Sequence, residues 1–310
     1  MRIKNKAILW TVLIVLVLHI TLSCPPSLLW WDTSIGYCGG PGTTGATFLK
    51  LGVGARPSAM GEAFTAVSDD VNAMYWNPAG LAQITNRQVS LIQTIWFQSI
   101  YYEYLGYCQP LGGVGASAPS NEPKGSTPGS SNFGVLGVSA TFLWIDGIER
   151  RASDTPDPDG WIPARDLAVS VSYGRCLTKT LDLGLTLKGL YRQLDDRTST
   201  GAALDIGLLY KLGSEKWTLG VALQNLGYES AFISEQDQLP MNLKIGISNK
   251  YLPDNELQSK LCHYKLTIAA DFNYGIMDSI WSVGGGIDWW LHPMFAVRGG
   301  YKYNSAMSSL

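Results

Sequence analysis

The chain has 310 residues, 46% of them hydrophobic and 15% charged, with 23 Lys+Arg against 25 Asp+Glu and a formal net charge of -2. That balance excludes a nucleic-acid binder, which needs a basic excess to displace counterions, and a disordered chain, which pairs low hydrophobicity with high net charge. With three His in all, His-based catalysis and metal binding are minor readings, whereas 34 Gly, 11 Trp and 15 Tyr beside so few charges point to β-structure in a non-aqueous setting.

The N-terminus carries Arg2, Lys4 and Lys6 before an apolar run from Ala7 to Leu18. A basic start and an apolar stretch of this length form a signal peptide, residues 1–23, since a spanning helix needs about 20 apolar residues. Cys24 follows Thr21-Leu22-Ser23, loosely a lipoprotein box, so lipidation and an uncleaved anchor stand as alternatives. The five cysteines (24, 38, 108, 176, 262) contain no CxxC, which removes zinc-ribbon and redox-motif readings.

Residues 52–82 read GVGARPSAMGEAFTAVSDDVNAMYWNPAGLA. Pro57 suits a first helical turn, and Ala59, Ala63 and Ala66 offer a small-residue face. Asp69 and Asp70 can cap a short helix at about 71–76, and Asn77-Pro78-Ala79-Gly80 places Asn at an N-cap and Pro at N1. The expectation is a compact helical hatch over 24–85 that fills a confined space. For Asp69, Asp70 and Asn72, capping is favoured over a calcium site, because EF-hand spacing is missing. Arg56 suits either an ion pair holding the hatch or a solvated surface. Phe48, Phe64, Met74, Tyr75 and Trp76 are candidates for an apolar ligand path, against ordinary packing of hatch on barrel. Gly52-Val53-Gly54 lacks the third glycine of a dinucleotide loop.

From about residue 88 onward, apolar residues recur at alternate positions, the periodicity of strands. Leu181, Leu183, Leu185, Leu187 and Tyr191 share one face, while Asp182, Thr186, Lys188 and Arg192 share the other. Similar two-faced runs follow at 204–211, 217–224, 242–248, 264–273, 281–289 and 295–303. Less regular ones lie at 89–97, 101–111, 133–145 and 167–176, giving about eleven strands. A soluble sandwich alternates in the same way. Runs of about 9–12 residues, aromatic residues towards their ends, and short turns alternating with loops at 146–163, 195–200 and 228–239 favour a transmembrane barrel. Such a sheet must close, since lipid satisfies no edge N–H or C=O. Gly112–Asn132 and Pro253–Lys260 are inserts that strand counting puts at the end otherwise carrying short links.

Gly54-Ala55-Arg56-Pro57-Ser58-Ala59-Met60-Gly61-Glu62-Ala63-Phe64, then Asp69-Asp70, then Trp76-Asn77-Pro78-Ala79-Gly80-Leu81 resembles the PorV/PorQ family of FadL-like long-chain fatty acid transporter barrels. Gln224-Asn225-Leu226-Gly227 and Leu239-Pro240-Met241-Asn242-Leu243 extend the resemblance over about residues 45–303. It implies a 14-stranded outer-membrane barrel with Arg56, Met60, Gly61, Asp69, Asp70, Asn72, Asn77, Pro78 and Gly80 in a luminal hatch. It further implies either transport of hydrophobic compounds or a part in type IX secretion. With about eleven strands and no terminal strand after Ser305, the chain is expected to lack two or three strands at its C-terminus.

His263 and His292 lie in no nucleophile motif, so no enzyme activity is expected. The reading is an all-β transmembrane antiparallel barrel over 86–310, incomplete at its C-terminus, with a small helical hatch. Its expected setting is the outer membrane of a Gram-negative-type bacterium. Expected partners are outer-membrane lipid, a hydrophobic small molecule and secretion-system proteins, with no nucleic acid and no cofactor.

Overall fold

The computed structural model describes residues 44–306, apart from 98, 112–132, 155, 214–215, 235, 252–264 and 293. The leader, three of the cysteines (24, 38, 262), His263 and both inserts lie outside the described residues. Four short helical turns come first: Thr47–Lys50, Ala55–Ala59, Ala73–Trp76 and Pro78–Gln83. The strands are β1 (Gln88–Trp96), β2 (Ile100–Pro110), β3 (Val135–Ile145), β4 (Glu149–Arg150), β5 (Gly160–Trp161), β6 (Ala164–Thr178), β7 (Leu181–Leu194), β8 (Arg197–Leu212), β9 (Trp217–Glu229), β10 (Asn242–Tyr251), β11 (Lys265–Gly275), β12 (Trp281–His292) and β13 (Phe295–Asn304).

All but β4 and β5 form one antiparallel sheet of eleven strands, each paired with its neighbours in sequence. Every strand expected from alternation is present. The chain is therefore all-β, and β4 and β5 add a small separate hairpin inside the 146–163 loop. Links after β1, β3, β7, β9 and β11 lie at one end, the upper rim, and those after β2, β6, β8, β10 and β12 at the lower rim. The expected 195–200 loop is shorter than that: only Asp195 and Asp196 lie outside strands, with Asp195 in the left-handed region at φ 58°.

The faces run opposite to those of a water-soluble sheet. On β7, Asp182, Thr186 and Lys188 are buried, while Leu185 and Leu187 are exposed, Leu187 by 63%. The same inversion recurs at Asp205 against Leu208 on β8, Lys244 against Ile245 on β10, and Asp288 against Ile287 on β12. Exposed aromatic residues gather at both ends of this apolar face. Tyr210, Trp217, Tyr251, Trp289 and Phe295 sit near the lower rim, and Tyr191, Tyr228, Tyr274, Trp281 and Tyr303 near the upper. Trp217 and Tyr228 are eleven residues apart on β9, about 37 Å of strand, or roughly 28 Å across at a tilt of about 40°.

The inner face encloses residues 44–87. Ser90 on β1 donates to Asn72, the Tyr102 hydroxyl on β2 to the Leu51 carbonyl, and Ser248 on β10 to the Ala66 carbonyl. Asp271 on β11 accepts the N–H groups of Phe64 and Thr65 at 2.9 and 2.7 Å, and Lys302 on β13 pairs with Glu62 at 2.6 Å. Laid flat, eleven strands about 4.8 Å apart would be roughly 48 Å wide. A compact segment reaches β1 and β13 together only if the sheet wraps around it. Backbone touches backbone in the wrapped interior: a Cβ on Gly184 of β7 would run into the Pro78 and Ala79 main chain.

The expected closed barrel is not what the sheet forms. β1 and β13 are its two ends and do not pair with each other. With eleven strands, β1 and β13 both run from lower to upper rim, so antiparallel pairing between them is geometrically excluded.

The expected small-residue helix face over Ala59, Ala63 and Ala66 is also corrected. Ala63 and Ala66 are buried, but Ala59 is exposed and no helix continues past it. The reason is Gly61-Glu62, both at positive φ, which turns the chain under β13. Gly61 is required twice there, because its φ is 61° and a Cβ would meet the Tyr301 backbone.

Candidate functional site

The candidate site is the plug with two cavities that border it. At its lower end Arg56 is the centre of an ionic cluster. Its Nη1 donates to Asp69 at 2.5 Å and to Asp70 at 3.1 Å, and its Nε donates to Asp288 at 3.0 Å. Lys250 at 3.1 Å and Lys265 at 3.7 Å complete the environment of Asp69, and Arg298 pairs with Asp288 at 2.9 Å. The guanidinium also lies 5.1 Å from the Phe64 ring centroid. Burial works against charging the Arg56 guanidinium, yet the carboxylates of Asp69, Asp70 and Asp288 outweigh it and raise its pKa. Burial likewise opposes ionisation of Asp69, but Lys250, Arg56 and Lys265 hold its carboxyl well below the ordinary range. Asp70 has one cation for partner among the described residues, and burial with Asp69 beside it pushes its carboxyl up despite Arg56.

Of the two roles open to Arg56, the structure shows the ion pair. Capping by the acids is only half right. Asp70 Oδ1 accepts the Asn72 N–H at 2.9 Å, a local turn bond before the helix Ala73–Trp76. Asp69 makes no such bond; it is spent on Arg56 and the lysines. Asn72 itself accepts from Ser90 on β1.

The Asn77-Pro78 cap forms as read from sequence. Asn77 Oδ1 accepts the Ala79 N–H at 3.2 Å, and Pro78 occupies the first position of the turn Pro78–Gln83. Its amide donates to the Thr65 carbonyl at 2.8 Å and to the Leu208 carbonyl of β8 at 3.2 Å, so one side chain joins plug to plug and plug to sheet. Gly80 lies against the Ser68 carbonyl, where a Cβ would not fit, and Met60 is fully buried against Gly286 and Gly300.

The candidate path residues are divided among three clusters. Phe64 and Trp76 pack with Val53, Met60 and Tyr102, with the Trp76 indole N–H donating to the Val53 carbonyl at 2.8 Å. Met74 packs with Leu81, Cys108 and Val135, and Phe48 with Leu49, Leu190 and Leu239. Only Phe48 borders the larger cavity, about 420 Å³ at the upper rim, walled by Leu51, Trp96, Leu143, Ile145 and Phe232. Arg192 sits at its edge, neutralised by Asp166 and Glu229 at 2.9 Å each. Tyr75 instead borders a second, polar cavity of about 210 Å³ and donates its hydroxyl to the Leu49 carbonyl. Burial pushes the Tyr75 phenol well up.

Sequence reasoning missed the strand residues that grip the plug. Asp271, Asp288 and Lys302 are legible as inward charges, but nothing local says which plug group each meets, and Lys250 lies beyond the alternating run 242–248. In the sequence Asn225 stands out only as part of a motif. It takes φ 59° at a bulge opposite Leu204–Ile206, so that Gln224 and Asn225 both point inward. Gln224 then donates to the Trp76 carbonyl at 3.2 Å, and Asn225 to the Pro240 carbonyl at 3.0 Å while accepting from Lys188 at 2.7 Å. The two later motifs thus meet in space.

Over residues 40–140, which contain the whole plug and β1 and β2, the chain matches the model of an uncharacterised protein family (UPF0164). No curated protein matches it.

Proposed function

We propose that the chain is an outer-membrane barrel protein that binds or passes hydrophobic compounds, with residues 44–87 as its hatch and no chemical catalysis. The observation that carries this reading is the inverted sheet. Exposed Leu, Ile and Val between two aromatic girdles is a surface that lipid tails satisfy and water does not. The motif resemblance to the PorV/PorQ family adds to it. A compound entering at the upper rim meets the cavity walled by Leu51, Trp96, Leu143 and Ile145. Arg192 there is already neutralised, so recognition rests on the apolar body of the compound. Passage then requires the hatch to move, beginning with Phe48. His292 has a structural part in this reading: its Nδ1 accepts the Met294 N–H in the lower-rim turn.

The test is uptake of a labelled long-chain fatty acid by cells carrying the chain, with and without residues 45–82. Loss on deletion is expected, and unchanged uptake overturns hatch gating. Recovery of the mature chain in a detergent-free soluble fraction would overturn the membrane assignment itself.

A second reading, a secretion component that docks exported proteins, has its own observation. Trp161 on β5 and Ile233 in the β9–β10 loop are 61% and 79% exposed on upper-rim loops, beyond the girdle. Exposed apolar loop residues suit protein contact. Copurification of exported proteins with the intact chain, lost in a Trp161→Ser, Ile233→Ser variant, is the outcome this second reading requires.

A further inference from the structure

Two polar residues interrupt the apolar outer face. On β2 the buried Tyr102 and Tyr104 point inward, so Tyr101, Glu103 and Leu105 point outward. Glu103 stands opposite Gln93 of β1, whose Nε2 donates to Glu103 Oε1 at 3.1 Å. Leu91 and Ile95 flank Gln93 at 78% and 64% exposure, and Leu105 follows Glu103 at 51%. Among the described residues, the other charged side chains turned outward from the sheet are Arg165 and Arg175, at the upper and lower ends of β6.

The depth of Glu103 follows from the register. Leu223, in the middle of β9, pairs with Leu243 of β10, and that residue pairs with Tyr274 of the upper girdle. Rows of paired residues therefore climb toward later strands. Such a row joins Glu103 through Phe142 and Leu167 to Tyr191 of the same girdle, three strands on. At about 4.8 Å per strand and a tilt of about 40°, Glu103 lies roughly 9 Å below that girdle, too deep for its side chain to reach water. A carboxyl in hydrocarbon costs less neutral than charged, and a neutral one both donates and accepts, as the Gln93 amide does. The bond between the two leaves Gln93 Oε1, one Gln93 N–H and Glu103 Oε2 without a partner among the described residues. Lipid tails offer none at that depth.

We propose that the outward face of β1 and β2 is a dimer interface within the membrane, where Gln93 and Glu103 of one copy exchange hydrogen bonds with Glu103 and Gln93 of a second copy of this chain. The patch is complementary to itself, as a two-fold interface requires, and an axis along the membrane normal sets both copies' groups at one depth. Leu91, Ile95 and Leu105 surround the polar centre and exclude lipid from it. The patch lies on the face of β1 and not along its edge, so it stays outward whatever pairs with that edge. The proposal rests on the membrane reading above and is independent of what the interior binds.

The experiment is energy transfer between two pools of the full chain, donor- and acceptor-labelled on a C-terminal tag, mixed and refolded into phosphatidylcholine vesicles. Saturable transfer is expected, diluted by unlabelled chain as two copies predict. Glu103→Leu and Gln93→Leu suit lipid at least as well as the parent and should insert normally. Each removes two exchanged bonds and should weaken association by about tenfold or more. Glu103→Gln keeps a donor and an acceptor, so its association should stay within about twofold of the parent's. Chains inserted singly, or Glu103→Leu associating as well as the parent, overturn this proposal alone. Equal losses in Glu103→Gln and Glu103→Leu overturn the exchange of hydrogen bonds. A chain recovered outside the vesicles overturns the membrane reading and this proposal with it.

Discussion

Leu187 and Lys188 are neighbours on β7, and they show how differently the two faces of the sheet are built. Lys188 is 6% exposed and is tied to Asp205 and Asn225 at 2.7 Å each. Leu187 is 63% exposed on the opposite face. The inner face is specific: its ion pairs and hydrogen bonds join particular groups, set by geometry. The outer face is non-specific, a band of apolar surface whose only requirement is an apolar neighbour. A change on the inner face should therefore act in any solvent, and a change on the outer face only in a bilayer.

The largest effect is expected where one inner side chain holds several partners. Arg56→Met removes the cation shared by Asp69, Asp70 and Asp288 and leaves Asp70 with none among the described residues. Breaking a buried pair from one side costs about 3–5 kcal/mol. Urea unfolding of the detergent-solubilised protein should show that loss, and limited proteolysis should cut within 44–87 far faster. A variant as stable as the parent would mean the plug is held elsewhere. On the outer face, Leu187→Arg should cost about 2–4 kcal/mol for refolding into lipid vesicles. Unfolding in a flexible detergent should change much less. Equal loss in both media would break the contrast and remove the membrane assignment.

How much of this was legible in sequence follows the same division. The faces were readable because period two is local: Asp182, Thr186 and Lys188 fall inward once one register is chosen. The Asn77-Pro78 cap was readable for the same reason, its donor lying two residues away. Arg56 and Asp288 are 232 residues apart, and no local pattern distinguishes an Arg in an ion pair from a solvated one. The bulge at Asn225 breaks alternation and so hides that both Gln224 and Asn225 face the plug. At 195–200 a polar run read as loop is mostly strand, because ladder pairing with β7 overrides composition. Strand number was legible, but closure was not, since it depends on the direction of the last strand as well as the count.

A smaller test separates the plug's own packing from its grip on the sheet. Asn77→Ala deletes the cap to Ala79 together with the bonds to Thr65 and Leu208. The cap alone is worth about 1 kcal/mol and each of the two neutral bonds about as much, so a loss of about 3 kcal/mol is expected. Asn77→Asp keeps the cap acceptor but cannot donate, and should recover about 1 kcal/mol of it. If both variants lose equally, the two donated bonds to Thr65 and Leu208 carry the effect and the cap does not.

The finest distinction lies within one pair of neighbours. Asp69 is held below the ordinary carboxyl value of 3.8, so its contribution is complete above that value and disappears only as pH falls through its lower folded value. Asp70 is raised by burial and by Asp69, so the folded chain binds its proton more tightly than the unfolded chain does. Ionised Asp70 therefore costs stability at neutral pH, and that cost is relieved as acid protonates it. On acidification the relief comes first and the loss of Asp69 comes later. Plug protection, read by proteolysis of 44–87, should hold or rise slightly down to about pH 4 and collapse only in stronger acid. Asp70→Asn should flatten the rise and change neutral stability by less than about 1 kcal/mol. Asp69→Asn should instead weaken the plug at every pH above 4, because it leaves Arg56 and Lys250 short of a carboxylate. Protection that falls steadily on acidification, with no level or rising stretch before the loss, would show that Asp70 is not held up in the folded chain.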